Sequence, residues 1–188
     1  MKKIGLLTIG LSVSVAAAAY AHSGATGIVK ERMDAMSAMG SAVKAIAPMM
    51  RGEVAYDADV VRAASRSFID HAGSAMTNLF PEGTGGMPSM ATDRIWTDGD
   101  EFAELARKMG EYGEGLARAS VNPPAMASAA ASNMMGNDTM MGIDTDAMMG
   151  ADAAMEAIDF ASMPVDTAFE MVSQTCTACH AKYRMESN

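Results

Sequence analysis

Cys176-Thr177-Ala178-Cys179-His180, near the end of the chain, is the stretch best equipped for chemistry, and its cysteines are the only two of the 188 residues. Two cysteines spaced by two residues and followed at once by histidine form the attachment signature of a c-type haem. In a helix, Cys176 and Cys179 are i,i+3 neighbours and His180 is i,i+4 from Cys176, so all three share one face. Two thiols can then bond two vinyl groups while the imidazole reaches the iron of the same macrocycle. A structural zinc site would want four ligands, and His22 and His71, the remaining histidines, have no ligand-like spacing to this pair. A thioredoxin-type pair would need a βαβ context, and no strand pattern precedes this one.

Elements that could position the motif lie upstream, behind a leader. Lys2 and Lys3, the apolar run Ile4 to Ala19 and Ala19-Tyr20-Ala21 read as a secretory signal cleaved after Ala21. Its apolar run is broken by Gly and Ser and is short against the span of about 20 residues that a membrane anchor needs. Taking the 21 leader residues from 188 leaves 167, one domain's worth. That mature chain, residues 22–188, carries 12 basic side chains against 23 acidic ones. Such a surface repels nucleic acid and anionic lipid and favours a basic redox partner. The expected address is the periplasm, without stable membrane insertion.

Four helical patterns follow. Residues 25–51 place Val29, Met33, Met36, Val43, Ile46 and Met50 largely at three- and four-residue steps, with Met39 extending the stripe and Gly52 as a stop. Most of these methionines are expected to be core packing. Asp57 is positioned to cap a second helix carrying Val60, Ala64, Phe68, Ala72, Ala75, Met76 and Leu79. His71 within it reads as a surface or internally satisfied residue. Residues 81–97 are rich in turn formers. They lack the preceding strand and following Lys-Ser/Thr of a phosphate loop, and Trp96 is expected to anchor the core. Asp98 or Asp100 caps a third helix with Phe102, Leu105, Ala106, Met109, Tyr112 and Leu116 inward, ending near Ser120. The fourth runs from about Pro164 to Met185, with Val165, Phe169 and Val172 leading to the haem motif.

Between the third and fourth helices, residues 121–163 change character. Met-Met-Gly-X-Asp recurs at Met134 to Asp138, Met140 to Asp144 and Met148 to Asp152. The composition predicts a solvated or loosely helical insertion. Its paired thioethers would also suit a soft metal such as Cu(I), although they come without His or Cys.

The pattern as a whole is an all-α, antiparallel four-helix bundle with haem attached covalently near the C-terminal helix. It resembles the cytochrome c prime family in Val29-Lys30-Glu31-Arg32, Gly52-Glu53 with Tyr56-Asp57, Leu79-Phe80-Pro81, Ile95-Trp96, and Cys176 through Arg184. The resemblance reaches both ends of the mature chain, and the methionine-rich insertion departs from it. It implies one haem c held by Cys176 and Cys179, His180 as proximal ligand, and Arg32 and Arg184 near the propionates. In high-spin, gas-binding members an apolar residue four places after the arginine blocks the sixth position on iron. Here that place holds Met36, so the chain looks more like the low-spin cytochrome c-556 branch, in which a methionine ligates iron.

Met/His coordination raises the potential and suits electron transfer. The expected function is therefore a one-electron carrier with a six-coordinate haem, Met33 and Met39 being the fallback ligands one turn away. The alternative is a five-coordinate haem that binds nitric oxide or carbon monoxide, with Met36 merely packed above it. With no nucleophile, acid/base pair or hydrolytic constellation in view, an enzyme is not expected. Many relatives dimerise through the first two helices, which leaves a homodimer open.

Overall fold

A computed structural model describes residues 24–125 and 158–185. The leader and the Met-Met-Gly-X-Asp repeats lie outside the described residues. The helices are α1 (Gly27–Met50), α2 (Ala58–Asp70), α3 (Gly73–Thr77), α4 (Arg94–Thr97), α5 (Gly99–Ala119) and α6 (Val165–Tyr183). Four arms make the bundle: α1, α2 continued by α3, α5, and α6. Helix α5 is the hub, packing along α2, α3 and α6, while α1 lies on α2 and approaches α6 over only a short stretch.

The core takes its fully buried side chains from every arm: Ile46 from α1, Val61 and Phe68 from α2, Leu116 from α5, Val165 and Val172 from α6. Burying such a side chain contributes about 1.5–3 kcal/mol, so the four arms are bound chiefly through these positions. Glycines let α5 come close. A Cβ on Gly113 would lie 3.2 Å from Phe68 Cβ and 3.2 Å from Ile69 Cγ1, and one on Gly110 3.3 Å from Ala72 Cβ. On the other side of the same helix the Phe160 ring rests on Gly115.

Several local expectations change in the folded chain. The second helix, read as continuous to Leu79, breaks at His71–Ala72. Gly73 has φ +54°, and Ala72 is extended. Asp57 does cap α2, accepting from the backbone N–H groups of Asp59 at 2.8 Å and Val60 at 3.2 Å. Asp98 stands at the start of α5 without a side-chain cap bond; its carboxylate instead takes Lys182 of α6 at 2.9 Å. Pro164 precedes α6 rather than opening it. Trp96 is only half-buried, and its Nε1 donates to Phe80 O at 2.9 Å, so it pins the loop while neighbouring Ile95 enters the core.

The buried stripe of α1 keeps Met39, Ile46 and Met50 of the expected one and differs from it at the remaining positions. It runs through Arg32, Ala35, Met39, Ala42, Ile46 and Met50. Val29, Met33, Met36 and Val43 form a half-buried flank beside it. Hydropathy ranks Met36 and Val43 above their neighbours Ala35 and Ala42, which is why the sequence pattern points one residue off at those positions.

Candidate haem site

Helix α6 buries Val165, Ala168, Val172 and Thr175. Steps of three and four residues carry that stripe on to Cys179, and Cys176 borders it. Both thiols are half-buried and packed against the core edge. The cysteine and histidine side chains therefore emerge along one side of the helix, as the i,i+3 and i,i+4 spacing requires.

Burial sets the protonation of these groups. It pushes the Cys179 thiol up to about 11, with the neighbouring Cys176 adding to the shift, and it raises Cys176 as well. Both therefore remain neutral S–H groups at pH 7. His180 stands at the rim, its pKa lowered first by desolvation and then by the positive charge of Arg184. A neutral imidazole is the form that ligates a metal.

Contacts at the end of α6 hold this segment in place. Thr92 N donates to Tyr183 O at 2.9 Å and Met185 N to Met90 O at 2.8 Å, with a lone antiparallel bridge between Ala91 and Arg184. Lys182 Nζ reaches Asp98 at 2.9 Å and Glu101 at 2.6 Å on α5. Tyr183 stacks edge-on against Phe102 at 5.3 Å, which meets Phe80 in the same way at 5.1 Å. None of this cross-bracing was read from the sequence. Local pattern suggests Asp98 or Asp100 only as a helix cap, and nothing local announces that a lysine 81 positions on will claim Glu101.

On α1, Met36 belongs to the half-buried flank and packs against the core beside Val43. Met39 is buried at 6% exposure, whereas Met33 is half-buried. Arg32 is 3% exposed. Its Nη1 donates to Leu79 O at 3.2 Å and to Thr84 Oγ1 at 2.9 Å, its Nη2 donates to Thr84 O, and its Cζ lies 4.8 Å over the Phe80 ring. Desolvation lowers its pKa. Arg184 is exposed, its backbone N–H donating to His180 O at 3.2 Å. His71 Nδ1 lies 2.8 Å from Ser67 O, the internally satisfied state expected of it. Among the described residues no cluster of His, Cys, Asp or Glu has the makings of another metal site, and no helix is long and apolar enough to cross a membrane.

The residues fit a haem. Two neutral thiols and an imidazole lie on one side of α6, and α1 carries a half-buried row of Met33, Met36, Gly40 and Val43 alongside its packed stripe. A four-helix bundle with this donor set defines a helical c-type cytochrome. A sequence model described as cytochrome c' matches residues 27–140, more than half of the chain. The chain belongs to the cytochrome c' family, and haem c is its cofactor. That match ends before α6, so the donor motif stands outside it.

Two curated relatives agree. Cytochrome c-556 of Agrobacterium tumefaciens is 35% identical over 86 residues, 45% of this chain and 67% of that one. Cytochrome c' of Rhodopseudomonas palustris is 31% identical over 107 residues, 56% of this chain and 66% of that one. This chain thus spans about two thirds of the length of each. Among solved structures, cytochrome c' from Thermochromatium tepidum superposes with a TM-score of 0.56 at 24% identity, covering 85% of this chain and 95% of that one. At that identity it speaks for the fold.

Proposed function

We propose that the protein is an exported one-electron carrier in which Cys176 and Cys179 hold one haem c through thioethers, His180 is the proximal ligand and Met36 the distal one. When bound, haem c supplies exchange of a single electron between ferric and ferrous iron. The rest is the work of this chain's residues. The core edge at Val172 and Thr175 positions the thiols, and desolvation with the nearby Arg184 charge favours the neutral form of the His180 imidazole. The ladder to residues 90–92 and the Lys182 pairs stop the end of α6 from fraying.

The observation that carries the electron-carrier reading is the thioether of Met36 on the half-buried flank of α1. Thioether sulfur is a competent ligand for haem iron, and with both His180 and Met36 bound to it the iron would keep no site for substrate. The 35% identity to a cytochrome c-556 supports the same choice.

A second reading, the five-coordinate haem that binds nitric oxide or carbon monoxide, is favoured by the names found in the comparisons. The matching family description, the Rhodopseudomonas relative and the superposed structure are all cytochromes c'. In that reading Met36 packs above the iron without bonding it. Visible spectra of the purified protein in both redox states separate the two. Sharp low-spin bands and slow carbon monoxide binding are expected for the electron carrier. Broad high-spin bands with rapid binding would replace it with the gas-binding protein.

The periplasmic address and a basic redox partner belong to the same proposal, resting on the leader and the acidic balance of the chain. Cleavage after Ala21 is checked by N-terminal sequencing of the exported protein.

A further inference from the structure

Arg32 presents an unusual combination, a charged side chain buried to 3% exposure whose Nη donors go to the main chain and hydroxyl of a loop 47 to 52 residues away. The start of α1 has little else to hold it. Between Gly27 and Ala38 only Arg32 and Ala35 are buried, Thr26 makes no side-chain cap bond, and the first turn carries no acid. Lys30 pairs with Asp34 of the same helix, which ties the segment to nothing beyond itself. Met33 and Met36 lie half-buried in this stretch, with Met36 packed at the edge of the core.

The loop that receives Arg32 is itself braced. Thr84 Oγ1 donates to Pro81 O at 2.7 Å while accepting from Arg32 Nη1, and Phe80 O accepts from Trp96 Nε1. The Phe80 ring under the guanidinium continues into Phe102 and Tyr183 on α6. Arg32 is thus the point where the first turns of α1 join the network that also holds the end of α6.

We propose that Arg32 is a positioning residue: its clamp on Leu79 and Thr84 sets the place of Met36, one turn further along α1, relative to the haem-bearing side of α6. The proposal rests on Met36 as ligand and gives Arg32 a role distinct from pairing with a haem propionate. A clamp makes Thr84 matter.

The test compares holoprotein of the parent with Arg32→Lys, Thr84→Val, the double variant and Met36→Ala. Arg32→Lys keeps the charge but loses the fork that spans two acceptors, and Thr84→Val removes the hydroxyl while keeping the β-branched shape. The expected result is partial loss of low-spin bands and faster carbon monoxide binding in both single variants. The double variant should be little worse than Arg32→Lys alone, since both act on one clamp. If Met36→Ala converts the spectrum while Thr84→Val and Arg32→Lys leave it intact, the proposal is overturned. If Met36→Ala changes nothing, the ligand reading has failed, and hydrogen exchange at amides 28–36 decides the clamp. Faster exchange in Thr84→Val upholds the clamp, and unchanged exchange removes it.

Discussion

Replacing Met36 and Met39 by alanine, one at a time, should separate stability from spectrum, because the two methionines sit three residues apart in different surroundings. Met39 is 6% exposed inside the core cluster. Truncating a buried methionine to alanine costs about 2–5 kcal/mol. For a domain of this size each kcal/mol lowers Tm by roughly 2–4 °C, so Met39→Ala should melt about 4–20 °C below the parent. Met36 lies half-buried at the edge of the same cluster and has less packing to lose, so the polypeptide part of its loss should be smaller, on the order of 1 kcal/mol. The spectra should rank in the opposite order. Met36→Ala opens the sixth position, turning the ferrous protein high-spin and quick to bind carbon monoxide, while Met39→Ala stays low-spin. Thermal melts followed by circular dichroism, together with visible spectra of the same samples, read both effects. A spectrum converted by Met39→Ala and untouched by Met36→Ala would refute the assignment and move the ligand by a turn.

Other outcomes follow from the packing and the motif. Cys176→Ser or Cys179→Ser should lower holoprotein yield, and mass spectrometry should find one haem on the wild-type chain; a wild-type mass equal to the bare polypeptide would end the haem argument. Gly113→Val should cost about 1–3 kcal/mol by overpacking, because a Cβ there already lies 3.2 Å from Phe68 and Ile69 side chains; the melting temperature should fall with the visible spectrum retained. Excising residues 126–157 behind a short Gly-Ser linker should leave spectrum and helix content nearly unchanged. The flanks are tied together without that segment, since Asn122 Nδ2 donates to Ala161 O and Met163 O at 2.8 Å each, and Ala125 N to Asp166 Oδ1 at 3.1 Å. Titration with Cu(I) before and after the excision tests the metal-binding reading of the repeats, and binding that survives would locate it elsewhere.

Part of this architecture depends on local spacing alone and is legible in the chain. Cys176, Cys179 and His180 share a helix face because i,i+3 and i,i+4 positions must. Asp57 caps α2 because an aspartate before a helix accepts the first free N–H groups, and Gly52 adopts φ +69° where α1 stops. The bundle was legible for the same reason, as four amphipathic periods joined by turn-rich segments leave few other ways to bury their stripes. Tertiary structure decided the rest. It put Arg32, Ala35 and Ala42 on the buried face of α1 in place of Met33, Met36 and Val43, which hydropathy ranks higher. It broke the second helix at His71–Ala72, and it took Asp98 from helix capping to Lys182. It gave Arg32 to Leu79 and Thr84. These last choices join residues 47 to 84 positions apart. Their energies come from desolvation and from donor geometry that exists only once the helices are packed, so no local pattern in the chain could carry them.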